Sequence, residues 1–411
     1  MSRCDSVSAW TATVSRRLPH LSRAHAHVLA LWSYGMVLSH TCGMTTVVAL
    51  LAPLVGASES TLRQRLREWC YDAQDKRGTH RQAVEVSACF APLVCWVLAW
   101  WSGDERRLAL VLDASTLSDR FTVLAISVVY RGCAIPVAWK LVRTHTKGAW
   151  QPHWKALLAR LHASIPTDWT VLVLADRGLY ARWLYEAIQQ QGWHPYLRVN
   201  AGGTYRPAAG GVLRPLRNAV REIGERWCGE VVCFQEPKRQ LACTLVACWE
   251  PGHQDRWLVL TDLPPQLAQV VWYSLRAWIE AGFKDCKRGG WQWHQTKMTD
   301  PARAERLWLA MAVATLWVVS VGGEADAGLP ASSLDRLPPR HVARRRAGAP
   351  QSRGRQLSCF RRGQVFIIAR LVQGRALPLG HFLPEPWPDK RAASGPARTS
   401  TVQTRTQKTY P

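Results

Sequence analysis

Residues 106–200 alternate short apolar runs with helix-spaced segments, and that order limits the fold more than any other feature of the chain. Leu108–Leu112 is a continuous apolar run ending in Asp113. Phe121–Tyr130 is apolar and β-branched, Arg131-Gly132 makes a turn, and Ala134–Val142 is a third run. Trp150–Ser164 has helical spacing, with Trp154, Leu157, Leu158 and Leu161 on one side. Thr170–Ala175 is again a short buried-strand run, ending in Asp176. Leu179–Gln191 reads as a helix and Pro195–Val199 as a last strand. Period and run length thus give the order β-β-β-α-β-α-β, which predicts an α/β fold with a mixed sheet and helices packed on it.

Asp113 and Asp176 each close an apolar strand, and strand C-terminal ends face the crevice where α/β sheets bind ligands. A single Asp there more often starts a turn. A third acid changes the balance. Tyr273–Lys287, placed on a helix at about 100° per residue, puts Tyr273, Arg276, Glu280 and Lys287 within an arc of roughly 60°. Val271, Leu275, Trp278, Ile279, Gly282 and Cys286 form an apolar stripe opposite. Three carboxylates can flank a pair of Mg²⁺ ions, which stabilise charge on both oxygens of a phosphodiester exchange. Arg276 can hold a phosphate in bidentate fashion, and Lys287 supplies a point charge.

Composition points to the partner. The 411-residue chain has 53 Lys+Arg against 29 Asp+Glu, a formal charge of +24 and a pI near 10.2. This predicts a polyanion, nucleic acid ahead of a membrane surface. The twelve cysteines are scattered and suit a reducing cytoplasm rather than a disulfide framework. Cys228, Cys233, Cys243 and Cys248 either line a hairpin or bind zinc, and their wide spacing favours the hairpin. No signal peptide is visible. Ala24–Ser58 and Val86–Gly103 lack charge and reach the length of a membrane span. Gly35, Gly43 and Pro53 break the first, and Pro92 interrupts the second, so both read as buried helices and no membrane is expected.

Further stretches are candidates for contacting DNA. Residues 1–105 read as helical. Within them Thr45–Leu54, the turn Val55–Ser58 and Thr61–Tyr71 outline a helix-turn-helix, with Leu62, Leu66 and Trp69 inward and Arg63, Arg65 and Arg67 outward. Residues 201–265 form a β-rich insertion made basic by Arg214, Arg217, Arg221 and Arg226, with strands at Glu230–Phe234, Leu241–Trp249 and Trp257–Thr261. Trp291 and Trp293, beside Lys287, Arg288 and Lys297, suit stacking on unpaired bases, with core packing as the alternative. Pro301–Gly322 is an apolar helix. The tail from residue 326 is rich in Pro, Arg, Ser and Gly. From residue 336 onward it holds 16 Lys+Arg and 2 acids, so +14 of the charge. It reads as largely disordered, with short apolar runs such as Val365–Val372 allowing one folded patch.

Asp113, Asp176 in Asp-Arg-Gly-Leu-Tyr, and Tyr273-x2-Arg276-x3-Glu280-x6-Lys287 together resemble the bacterial insertion-sequence transposases of the DDE class. More narrowly they are similar to the Tyr-Arg-Glu-Lys signature group, insertion-sequence family four. The resemblance covers roughly residues 20–325. It implies a ribonuclease H-like core in two parts, 106–200 and 266–325, around a largely β insertion at 201–265; the helical residues 1–105 read as a DNA-binding domain before it and 326–411 as a basic tail after it. It implies Asp113, Asp176 and Glu280 as metal ligands for two Mg²⁺ ions, with Mn²⁺ able to substitute, and Tyr273 as support for the phosphate contacts of Arg276 and Lys287. It also implies double-stranded DNA as partner (transposon ends and target), a homodimer in the DNA complex, and work at the nucleoid in the cytoplasm. The activity implied is hydrolysis at the element's ends and transfer of the 3′ hydroxyl into target DNA. A nuclease or resolvase on the same core, or an inactive DNA-binding copy, shares part of this pattern.

Overall fold

The computed structural model of the chain describes residues 3–78, 81–144, 150–327 and 357–387. The N-terminal quarter is helical, as its spacing predicts: α1 (Arg3–Arg17), α2 (Arg23–Ser39), α3 (Met44–Val55), α4 (Glu59–Trp69) and α5 (Phe90–Ala99). The turn between α3 and α4 falls where the sequence places it. Gly56 ends α3 at φ +64°, and the Ser58 hydroxyl accepts the Thr61 N–H to start α4. Leu62, Leu66 and Trp69 are buried, and Arg65 and Arg67 are exposed.

Ten strands form one sheet: β1 (Arg107–Leu117), β2 (Phe121–Tyr130), β3 (Cys133–Arg143), β4 (Thr170–Ala175), β5 (His194–Arg198), β6 (Thr204–Pro207), β7 (Arg214–Pro215), β8 (Arg226–Cys233), β9 (Leu241–Cys248) and β10 (Trp257–Thr261). Their order is β3-β2-β1-β4-β5-β10-β9-β8-β6-β7. The first three strands meander antiparallel; β1, β4 and β5 run parallel, with α6 (Gln151–Leu161) and α7 (Arg182–Gln189) between them in sequence. The strands of the insertion continue the same sheet, because β10 pairs antiparallel with β5.

Alternation along the strands splits the core in two. Leu108, Leu110 and Leu112 of β1 and Val171, Val173 and Ala175 of β4 face the larger cluster, together with the N-terminal helices and α9 (Pro301–Asp326). Ala109, Val111, Leu172 and Leu174 face a smaller cluster closed by residues 270–283. The hairpin of β8 and β9 follows the same parity. Cys233 faces one side of the sheet, and Cys228 and Cys248 face the other. The four thiols therefore do not converge, and zinc is ruled out for them.

α9 is the only helix among the described residues that is long and apolar enough to cross a membrane, and 94% of its most apolar window is buried inside the fold. Its hydrophobicity serves the core. The charge-free stretch over α2 and α3 is bent by 101° at its break.

One expectation needs correction. Tyr273–Lys287 is not one helix: a 3-10 segment at Val270–Ala277 gives way to α8 (Trp278–Cys286), so its residues do not keep the 100° step. In the tail, the apolar run Val365–Val372 lies in a folded patch, as its composition allows. α10 (Cys359–Val372) lies against α9 with backbones touching: a Cβ on Gly322 would strike the Cys359 carbonyl, and one on Gly363 the Val318 carbonyl. Gly, the residue that adds no side chain, is what lets the two helices meet this closely. Residues 328–356 and 388–411, the rest of the predicted basic tail, lie outside the described residues.

Candidate active site

The parallel register of β1 and β4 builds the site. Its last pair is Leu112 with Ala175. The next residues along the two strands are Asp113 and Asp176, so they stand abreast at the ends of neighbouring strands, which in a sheet lie about 4.8 Å apart. Both have the parity of the smaller cluster, the face covered by 270–283. Asp113 does not end its strand, as the apolar run suggests: β1 continues to Leu117, paired only with β2. β1 thus loses β4 as a hydrogen-bonded neighbour beyond this level.

Arg276 brings in the third acid. One of its terminal nitrogens lies 2.8 Å from Asp113 Oδ2 and 3.8 Å from Asp176 Oδ2; the other donates to Glu280 Oε1 at 2.6 Å. Glu280 is one helical turn on, so the break at residue 277 leaves this pair intact. Arg276 is 13% exposed, Asp113 19%, Asp176 35% and Glu280 40%. Burial raises the pKa of Asp113; Arg276 opposes this, and Asp176 and Glu280 add to it. For Arg276, burial works against the charge, but Asp113, Tyr273, Asp176 and Glu280 outweigh it and raise the pKa.

The rest of the signature surrounds this cluster. The Tyr273 hydroxyl lies 3.5 Å from both Asp176 Oδ1 and the Ala175 carbonyl, and burial, then Asp176, pushes its pKa up, so it stays a neutral donor. Lys287 donates to Ser115 Oγ and the Thr116 carbonyl at 2.8 Å each. Ser115 is two residues beyond Asp113 on the same face, roughly 7 Å along the strand. Burial lowers the Lys287 pKa.

Sequence reasoning missed Arg198. It ends β5 on the same face, and its guanidinium lies 4.0 Å from Asp176 Oδ1 and 3.9 Å from Asp255, which also pairs with Arg177 at 3.3 Å. Its place at a strand terminus next to Asp176 was the available signal, but the pairing of β4 with β5 is needed to use it.

Trp291 and Trp293 are not surface platforms. Both are fully buried. Trp291 donates its indole N–H to Thr315 and packs on Phe360; Trp293 packs between Phe121 and Trp308. The loop folds inward because α9 and α10 offer it an apolar surface that local sequence does not reveal. Arg63 and Arg67 lie on α4, away from the acids along the chain and in a separate element; Arg63 is half-buried and donates to Thr45, while Arg67 is exposed.

The donor set of the site is three carboxylates, which suits hard divalent cations. Among the described residues no three acidic, His or Cys side chains stand in metal-ligating geometry. The acids gather around the Arg276 guanidinium.

Residues 123–317 match the family model of the transposase DDE domain. The match supports a DDE transposase, an enzyme class of DNA transposition and recombination. It includes Asp176, Tyr273, Arg276, Glu280 and Lys287 and opens after Asp113, which the sheet register ties to the same site. A solved piggyBac transposase synaptic complex with hairpin DNA is 12% identical, over 80% of this chain and 75% of that one, at a TM-score of 0.37, which is too loose to carry an argument. No curated protein matches.

Proposed function

We propose that the protein is a DNA transposase that cuts at the ends of its own insertion sequence and joins the freed 3′ ends to target DNA. The arrangement that carries this reading is the side-by-side placement of Asp113 and Asp176 with Glu280 drawn in through Arg276. The strand order β3-β2-β1-β4-β5 supports a ribonuclease H-like core, and the spacing of Tyr273, Arg276, Glu280 and Lys287 supports the Tyr-Arg-Glu-Lys group.

Asp113, Asp176 and Glu280 would hold two Mg²⁺ ions, which when bound supply charge stabilisation to the attacking and leaving oxygens. The chain's own residues do the rest. In the protein without DNA, Arg276 pairs closely with Asp113 and Glu280 and lies 3.8 Å from Asp176, offsetting part of their charge. A DNA phosphate offers its guanidinium a second anionic partner, and bidentate pairing there would release the carboxylates. Lys287, already fixed at the end of β1, places a second positive charge along the same strand. Tyr273 orients Asp176 from below and excludes water from its buried side. Arg198, between Asp176 and Asp255, restrains Asp176 from the other flank.

The test is cleavage of plasmid DNA carrying the terminal inverted repeats that flank the gene, with Mg²⁺ or Mn²⁺. The wild-type chain should cut at the repeat ends. Asp113→Asn, Asp176→Asn and Glu280→Gln should each abolish cleavage while gel-shift binding of the repeats persists. Cutting by Glu280→Gln at the wild-type rate would overturn the site assignment.

A further inference from the structure

The segment after α10 lies outside the site, yet it packs on the 3-10 segment that carries Arg276. Residues 375–387 run as a strap across the fold. The Pro378 carbonyl accepts the Trp317 indole N–H at 3.0 Å. Phe382 exchanges backbone hydrogen bonds with Trp100 and Ser102 at 2.7 and 2.8 Å, beside the end of α5. Leu383 N–H donates to the Tyr130 hydroxyl, and Arg131 donates to the Leu383 carbonyl and pairs with Glu385 at 3.0 Å. Arg131 also lies 3.6 Å from Asp326, and all three charged side chains are less than 10% exposed. A buried charge cluster of this kind is strongly directional, so it fixes the strap in one register.

Trp387 is the last described residue of the strap. Its ring meets Trp272 edge to face, with centroids 5.3 Å apart, and the Arg107 guanidinium covers it at 5.0 Å. Trp272 in turn faces Tyr196 at 6.2 Å. Trp272 is the residue before Tyr273 and lies within the 3-10 segment that also carries Arg276. That segment has the poorer hydrogen-bond geometry of its class and depends on packing to hold its shape.

We infer that Trp387 is a positioning residue for the catalytic segment: the C-terminal strap clamps Trp272 and so sets the height of Tyr273 and Arg276 over the two aspartates. The inference rests on the transposase reading for its catalytic consequence and on packing alone for its structural one. It assigns to the tail a role distinct from phosphate attraction.

The experiment compares the full-length wild type with Trp387→Ala and Trp387→Phe. Backbone hydrogen exchange is followed by mass spectrometry, and single-turnover cleavage and repeat binding are measured in parallel. Trp387→Ala should lose protection in 270–277 while 301–326 stays protected. It should slow cleavage between about tenfold and a hundredfold at saturating enzyme, as small misplacements of catalytic groups do. Repeat affinity should stay the same, and Trp387→Phe should recover most of both losses. Unchanged exchange in 270–277, or equal loss across 301–326, would overturn the inference. A wild-type chain that never cleaves, yet shows the local exchange change in Trp387→Ala, would instead remove the transposase reading and with it the catalytic half of the inference.

Discussion

The two faces of the sheet are built from the same strands and are covered in opposite ways. On one face α9 contributes an almost unbroken run of buried side chains; Trp10 stacks on its Trp317, and Trp139 and Trp293 pack on its Trp308. On the other, a single irregular segment at 270–286 and the end of the strap cover the strands, and Arg276 lies among three carboxylates. The first face gains from removing apolar area from water. The second buries a smaller apolar cluster and also holds partly desolvated charge, so less of its burial is net stabilising. Gly282 marks how closely the thin cover sits: a Cβ there would lie 2.9 Å from that of Ala134 on β3.

Substitutions should separate the faces by size of effect. Trp308→Ala opens a large cavity against Trp139 and Trp293 and should cost about 3–5 kcal/mol, seen as a lower urea midpoint. A loss under 1 kcal/mol would mean that the helix-covered face is not the dense one. Arg276→Ala leaves the acids without their shared cation and should cost about 1–3 kcal/mol, less than a fully buried pair because Asp176 and Glu280 are partly exposed. Mg²⁺ should then raise the melting temperature of Arg276→Ala more than that of the wild type; equal shifts would break the competition between metal and guanidinium.

Asp285 on α8 gives a pH-dependent contrast. Burial pushes its carboxyl up to about 7, with Lys284 and Arg361 opposing. The fold then binds this proton more tightly than the unfolded chain, whose carboxyl titrates near 4, so the group adds stability as pH falls from 7 towards 4 and costs stability above 7. Asp285→Asn should therefore raise the melting temperature at pH 8 and much less at pH 5. A larger gain at pH 5 would contradict that sign. The smallest effect on folding is expected at α4. Arg67→Ala should leave the melting temperature unchanged and, if α4 meets DNA, lower the salt dependence of repeat binding by about one unit of slope.

Much of this was legible in the residues. Thr170–Ala175, Phe121–Tyr130 and Trp257–Thr261 fall where their apolar runs predict, and the turn at Gly56 and Ser58 follows its capping residues. The grouping of Asp113, Asp176 and Glu280 was expected from their positions. Trp291 and Trp293 misled because a polar-aromatic loop looks alike whether it meets solvent or a helix pair. The strap was hidden because Pro, Arg and Gly dominate its surroundings, while its anchors at Tyr130, Trp272 and Trp317 are distant in the chain.

What the sequence alone determined is the order of elements and which way each strand residue points, since period and capping depend on near neighbours. Tertiary structure decided the rest: the pairing of Leu112 with Ala175 that sets two aspartates abreast, the change of helix type at residue 277, and the course of the strap to Trp387. Those outcomes depend on which apolar surfaces fit across tens to hundreds of residues, and no local pattern carries that information.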